Sequence, residues 1–217
     1  TEPFTFKGKF YDCEDIDVHP KMYQKDFRPY MASFSQFSMG LAADWDWNLL
    51  LAPFATTVLF GNLGNAVTAY KEICAKKKKP VRKVKCSYFI HIGDKPGDNE
   101  KAQERMINYI TMAGLRKTMS QGGTGPLPET MQYFKKIGAA LNDPKKGDFD
   151  DNSMLHGSPQ QIIDSLKKVE AVGIDEVILY FNFGNAPDAQ VRETMHRFSE
   201  EIAPAFANPA MAVHEPA

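Results

Sequence analysis

The sequence predicts an α/β fold in which buried parallel strands alternate with amphipathic helices. The clearest observation is a unit near the C-terminal end, where a helical pattern at 158–172 is followed by Gly173 and the apolar run 177–181. The second observation is that strand and helix patterns alternate in the same way from about residue 28 onward. Such alternation is typical of parallel pairing with right-handed crossovers.

The C-terminal unit has the signals of a capped helix followed by a strand. Ser158 stands at the N-cap, Pro159 at the first helical position, and Gln161 where it completes a capping box. Gly173 provides the left-handed residue with which many helices end. Residues 177–181 are almost entirely apolar, which predicts a strand buried on both faces.

The chain begins with a predicted insertion at 1–27. Residues 4–19 alternate apolar and polar side chains around Lys7 and Gly8, which predicts a β-hairpin. Residues 20–29 contain two prolines and predict a loop.

Three further strand and helix units are predicted between this insertion and the C-terminal unit. Their strands are expected at 28–32, 47–52 and 83–92, and their helices at 35–44, 63–77 and 98–119, with a turn at 53–57. Residues 120–155 are rich in Gly and Pro and predict a mobile covering segment with one short helix at 129–141. The last strand, at 176–181, is followed by a final helix at 188–202.

Composition limits the classes of function. The chain has 217 residues, of which 43% are hydrophobic, and a formal net charge of -1. This balance predicts a real core and argues against nucleic acid or a membrane surface as the main partner. Three cysteines without metal-like spacing indicate a reducing, cytoplasmic compartment. No spacing of His, Cys or carboxylates predicts a metal site.

Several motifs resemble those of the luciferase-like flavin-dependent monooxygenases, the superfamily of bacterial luciferase. They are Gly-Ser-Pro at 157–159, Gly-Ile-Asp-Glu at 173–176 and Pro-Ala-Phe at 204–206. Residues 4–11 resemble the family's hairpin insertion, and residues 30–38 resemble its fifth strand and the following helix. The resemblance implies a (β/α)8 TIM-barrel fold, of which this single domain is the C-terminal half, strands five to eight.

Four strands do not close a barrel, which needs eight strands and about 250 residues. An open half-barrel exposes two unpaired edges and an apolar inner face. We therefore expect a second subunit, as in a homodimer, or a complementing N-terminal half to cover that face.

The first candidate site is the segment 33–38, at the end of a predicted strand and the start of a helix. The backbone N–H groups and positive dipole of a helix N-terminus suit a phosphate. The resemblance implies that Ser35 and Ser38 hold the FMN phosphate, with Ser33 and Phe34 beside them. From the residues alone, a simple N-cap role for Ser35 is the stronger alternative.

Two further candidates lie at the ends of the next strands. Phe54 follows the second strand, and the resemblance places its loop beside the flavin ring, with Thr56 or Thr57 toward the substrate. The alternative is a helix-entry turn with a core Phe. His91 lies late in the third strand, where it would act as an acid or a base. The alternative for His91 is a hydrogen-bonded histidine in a half-buried strand.

The resemblance implies a flavin-dependent monooxygenase. Reduced FMN, supplied by a flavin reductase, would react with oxygen and oxygenate a small organic substrate such as an aldehyde or ketone. One alternative is a deazaflavin-dependent oxidoreductase of the same superfamily, and another is a non-catalytic flavin-binding subunit. Catalysis by this chain alone is not expected, because the resemblance assigns the catalytic histidine to the N-terminal half of the barrel.

Overall fold

The computed structural model describes residues 2–112, 133–142 and 154–207. Within these residues the chain forms a two-stranded hairpin and a five-stranded sheet, β3 to β7, in which every pairing is parallel. The predicted α/β class with parallel pairing is therefore confirmed. The described residues form an open sheet, so a closed barrel is not part of the observed fold.

The hairpin consists of β1 (Phe4–Lys7) and β2 (Asp12–Ile16), and the sheet strands follow it in order. They are β3 (Tyr30–Ala32), β4 (Asn48–Leu51), β5 (Val84–Ile92), β6 (Met154–Gly157) and β7 (Glu176–Tyr180).

The helices alternate with the sheet strands along most of the chain. They are α1 (Gln36–Asp44), α2 (Pro53–Phe60), α3 (Leu63–Lys77), α4 (Asp98–Met112), α5 (Tyr133–Asn142), α6 (Pro159–Ala171) and α7 (Asp188–Arg197), which continues into the π-helix Phe198–Ile202 and the 3-10 helix Ala203–Phe206.

The hairpin predicted at residues 4–19 is confirmed. Strands β1 and β2 pair antiparallel, with Phe4 opposite Ile16, and the turn is closed by a 3.0 Å bond from the Gly8 N–H to the Tyr11 carbonyl. Much of its apolar surface is exposed, including Phe10 and Tyr11 in the connection between the strands.

Strand β5 is the centre of the sheet and pairs with three other strands. Lys85 lies opposite Leu50 of β4 and Glu176 of β7, so these two strands flank its first half on opposite sides. Its last residues pair with β6, where His91 lies opposite His156. Strand β5, with nine residues, thus pairs directly with every other strand of the sheet except β3.

One face of the sheet is covered by helices and contains the main core. Alternate residues of β5, from Val84 to Ile92, pack there against side chains from α1, α3 and α6. The largest buried contributions include Met39, Tyr70 and Ile162. Because each Å² of buried apolar area contributes about 25 cal/mol, this layer is a major source of stability.

On the opposite, inner face, the described residues form a second cluster at the end where the strands finish. It consists of side chains from α2, α4 and α5 together with Met154 and Phe183. Nearer the start of the strands, Lys85 pairs with Glu176 at 2.5 Å and lies 4.2 Å from the Tyr30 ring centroid. Glu176 and Ile178 remain partly exposed on this face, at 43% of the side chain and 38% of the residue, whereas the Lys85 side chain is 23% exposed.

The prediction of a strand buried on both faces at 177–181 is wrong. Strand β7 ends at Tyr180, and its residues alternate, with Ile178 38% exposed and Tyr180 47% exposed. Its other face, with Val177 and Leu179, packs against the main core. The apolar run therefore reflects an inner face that the described residues leave open.

Two elements differ from the prediction. The residues expected as a turn at 53–57 belong to helix α2, because Pro53 fits the first helical position and the following N–H groups find carbonyl partners. Strand β6 was not predicted, since four residues with His and Gly give too short a pattern. The sheet thus has five parallel strands instead of four.

The predicted covering segment at 120–155 lies largely outside the described residues. Helix α5 occupies 133–142, close to the short helix expected at 129–141. Met154 and Leu155, at the end of the segment, belong to β6 and so to the sheet itself. The capping box predicted for α6 is confirmed, with Ser158 accepting from the Gln161 N–H and Gln161 accepting from the Ser158 N–H.

Candidate functional site

The predicted site residues lie together at the C-terminal ends of the parallel strands. Ser33 follows β3, Phe54 follows β4, and His91 lies near the end of β5. Because parallel strands finish at the same edge, these residues share the end where barrel enzymes place their sites. A cavity of about 890 Å³ lies at the opposite end of the strands, and its lining includes Arg28, Asn48 and Lys83. It therefore lies away from the predicted site residues.

Three serine hydroxyls form a compact network at the start of α1. Ser38 Oγ lies 2.7 Å from Ser33 Oγ and 3.0 Å from Ser35 Oγ. The Ser38 N–H donates to Ser35 Oγ at 3.2 Å, and the Ser35 N–H donates to Ser38 Oγ at 3.3 Å. The N-cap interpretation of Ser35 is confirmed by this capping box.

The same turn also fits a phosphate group. The first turn of α1 contains no acidic residue, and Gln36 and Phe37 are exposed there. The exposed N-terminus is positive, so an anion meets no repulsion. Ser35 and Ser38 are half-buried, whereas Ser33 is 1% exposed and supports Ser38 from within. A bound phosphate would take over hydrogen bonds that the hydroxyls now share.

Phe34 and Phe54 lie in the second cluster at this edge of the sheet. The Phe34 ring is 6.0 Å from the Tyr133 ring, centroid to centroid. Phe54 is the second residue of α2 and is half-buried, while Thr56 is 2% exposed and faces the interior. The role of Phe54 at a flavin ring stays a prediction.

His91 is buried, and its Nε2 atom has no hydrogen-bond partner among the described residues. The alternative of a hydrogen-bonded histidine in a half-buried strand and the role of an acid or base both stay predictions. The end of β5 is buried, because α4 packs over it. Burial lowers the pKa of His91, the nearby Arg105 and His156 lower it further, and Asp98 acts in the opposite direction. The imidazole is accordingly held in its neutral form near pH 7.

Sequence reasoning missed the neighbours of His91. His156 lies opposite it on β6, and its Nε2 is 3.2 Å from Gln103 Nε2 of α4. His156 Nδ1 and Asn99 Oδ1 are buried and, like His91 Nε2, have no partner in the described part of the chain. A detectable signal was that both histidines stand one or two residues before a glycine at the end of a strand.

The structure resembles parts of several solved cofactor-dependent enzymes. The monooxygenase RslO1 from Streptomyces bottropensis matches 95% of this chain and 57% of its own, at 17% identity and a TM-score of 0.62. An F420-dependent secondary alcohol dehydrogenase, in complex with an F420-acetone adduct, has the same identity and coverages and a TM-score of 0.63. The chain thus shares the fold of the matched part of these enzymes.

A third solved structure with this fold carries FMN. The oxygenating constituent of 3,6-diketocamphane monooxygenase from Pseudomonas putida, in complex with FMN, matches at 16% identity and a TM-score of 0.56, over 94% of this chain and 58% of its own. The resemblance expected from the sequence motifs is thus confirmed at the level of the fold. The chain spans a little over half the length of these proteins. No family model and no curated protein sequence matches it.

The described part of the chain contains neither a metal-binding group nor a membrane-spanning helix. No group of three His, Cys, Asp or Glu side chains there is placed to hold a metal ion. Among the same residues, no helix has the length and apolar character needed to cross a membrane.

Proposed function

We propose that this chain is part of an oxidoreductase that binds a flavin or deazaflavin cofactor. The favoured candidate is a monooxygenase that uses reduced FMN, supplied by a flavin reductase, on a small organic substrate. The observation that carries the proposal is the serine turn at the start of α1, where Ser33, Ser35 and Ser38 share hydrogen bonds. The fold shared with FMN- and F420-dependent enzymes supports it.

In this proposal the protein binds and orients the cofactor, and the cofactor performs the redox chemistry. Ser35 and Ser38 donate hydroxyl hydrogen bonds to the phosphate, together with the backbone N–H groups of the first turn of α1. Phe54 offers half-buried apolar surface at the same edge of the sheet. When bound, the cofactor supplies electron transfer to oxygen or to the substrate.

The second candidate is a deazaflavin-dependent oxidoreductase. It is supported by the F420-dependent dehydrogenase, whose TM-score of 0.63 is as high as that of the monooxygenase RslO1. Both cofactors have a phosphate, so the serine turn fits either one. Equilibrium titration of the full-length protein with FMN and with F420 separates the candidates by relative affinity. Binding without turnover favours a non-catalytic flavin-binding subunit.

The covering of the inner face is part of the same proposal. Ile178 and Tyr180 are exposed there, and β3 and β7 each pair with only one strand among the described residues. Strand edges of this kind pair readily with another chain. A complementing barrel half or a second subunit would cover the face and complete the cofactor pocket.

Replacement of both Ser35 and Ser38 by Ala tests the cofactor site. Loss of two hydrogen bonds to a charged group, at about 1.5–3 kcal/mol each before water substitutes, lowers affinity at least tenfold. Ser199→Ala is the matched control, because Ser199 Oγ donates only to the His196 carbonyl on an exposed helix. If the double variant binds FMN and F420 as the wild type does, the assignment fails.

A further inference from the structure

One face of the β1–β2 hairpin is apolar and open to solvent. The antiparallel register places Phe4 opposite Ile16 and Phe6 opposite Cys13, so these four side chains share a face. Four aromatic residues of the hairpin and its connection are more than half exposed, namely Phe4, Phe6, Phe10 and Tyr11. A two-stranded hairpin alone is only marginally stable in water, so an open apolar face on it indicates a packing partner.

A groove of about 390 Å³ lies between helices α1 and α3. Its apolar lining includes Phe37 and Leu41 of α1 and Ile73 of α3. Phe37 is exposed, whereas Leu41 and Ile73 are half-buried. The described structure therefore contains a second open apolar surface, on the helix layer and not on the inner face of the sheet.

The hairpin and the groove have opposite charges. Strand β2 contains three carboxylates and no cation, and all three carboxylate residues, Asp12, Glu14 and Asp15, are exposed. The groove is bounded by Lys76 and Lys77, the first residues of an exposed run of four lysines at 76–79. An acidic hairpin with an apolar face thus matches both the lining and the rim of this groove.

We infer that the hairpin of one copy of this chain docks in the α1–α3 groove of a second copy. Both surfaces are open within a single copy, so the contact is made between copies. A chain that carries both complementary surfaces forms a closed, twofold dimer when the two hairpins are exchanged.

The exposed area is large enough for such a dimer. On a scale of about 200 Å² for a whole aromatic side chain, the four aromatic residues of one hairpin expose roughly 500 Å². Two hairpins and equal areas of two grooves would remove at most about 2,000 Å² from water, and stable interfaces bury about 1,200–2,000 Å². The exchange therefore buries enough surface to be specific.

Thiol labelling of Cys13 in the full-length protein, quantified by peptide mapping, tests the inference. Because Cys13 lies opposite Phe6, docking should slow its labelling at least tenfold at protein concentrations where sedimentation equilibrium shows a dimer. Lys76→Glu/Lys79→Glu should restore fast labelling and weaken the dimer at least tenfold, because an acidic rim repels the acidic hairpin. This variant keeps the ion pair of Lys77 with Asp44.

A charge exchange tests whether the two surfaces are partners. Asp12→Lys/Glu14→Lys makes the hairpin basic and should weaken the dimer to the same extent. An equimolar mixture of the hairpin and groove variants should dimerise again, because each hairpin then meets a groove of opposite charge. Lys167→Glu/Lys168→Glu is the matched control, since it changes the charge equally on two exposed residues of α6 and should dimerise as the wild type does.

Three results overturn the inference. The first is Cys13 labelling of the wild type that does not change with protein concentration, which is the result expected if another segment or a complementing barrel half covers the hairpin. The second is unchanged dimerisation of the groove variant, and the third is a mixture of folded variants that stays monomeric. Circular dichroism of each variant reports whether it is folded, and the wild-type labelling decides the first result without any variant.

Discussion

Asp175 of the Gly-Ile-Asp-Glu motif links the central strand β5 to the turn before β7 by two hydrogen bonds. Its Oδ2 accepts a 2.7 Å hydrogen bond from the Val84 N–H, and its own N–H donates to the Val84 carbonyl at 2.9 Å. Val84 is 2% exposed, so its N–H is shielded from water once the carboxylate is removed. We therefore predict a structural role for Asp175.

Asp175→Ala leaves a buried donor unpaired, which costs about 2 kcal/mol within the usual range of about 1–3. For a chain of this size, about 2–4 °C of melting temperature is lost per kcal/mol, so the expected decrease is about 4–8 °C. Asp175→Asn keeps a side-chain oxygen that accepts the bond and should lose less than half as much. The measurement is thermal unfolding of the full-length protein, followed by circular dichroism.

Asp188→Ala is the control, because Asp188 forms only an exposed i,i+4 pair with Arg192. Such pairs contribute about 0.3–0.5 kcal/mol. If Asp175→Ala lowers the melting temperature no more than Asp188→Ala does, the structural role is refuted. A selective loss of FMN or F420 affinity at unchanged stability would instead place Asp175 in the cofactor site.

Three other predictions follow from burial. Because the folded-state pKa of His91 is lowered, stability should fall as pH decreases below about 6.5, and His91→Gln should remove that part of the pH dependence of chemical unfolding. Cys13 is half-buried, whereas Cys86 is buried and its burial raises the pKa of its thiol to about 12. A thiol reagent should therefore label Cys13 before Cys86, which peptide mapping measures. Ile178→Ser should weaken association with the covering partner about tenfold in sedimentation equilibrium, while Met195→Ser, on an exposed helix, should not.

Local signals in the sequence were sufficient for most of the fold. Helix α3 was predicted at 63–77 and observed at those bounds, because its apolar spacing and Asn62 cap are independent of distant residues. The α6 capping box was predictable for the same reason. Strand β6 was not, because its four residues become a strand only by pairing with the end of β5.

The candidate site was predictable only where one segment contains it. The serine turn lies within six residues, so its network follows from the capping rules. His156 and Asn99 come from β6 and α4, and their approach to His91 depends on strand register and helix docking. A sequence pattern cannot report that three buried polar atoms lack partners, since this is a property of the packed structure.

The residues that carry the sequence resemblance are mainly those that build the fold. Gly173 adopts a φ of +97 after α6, Ile174 is buried in the main core, and Glu176 pairs with Lys85. A chain without activity would need these residues as much as an enzyme would. The resemblance is therefore evidence about architecture, and function must be judged from residues that the fold does not require. The Nε2 atom of His91, which has no partner in the described part of the chain, is one such observation, because a core needing only stability would favour an apolar side chain there.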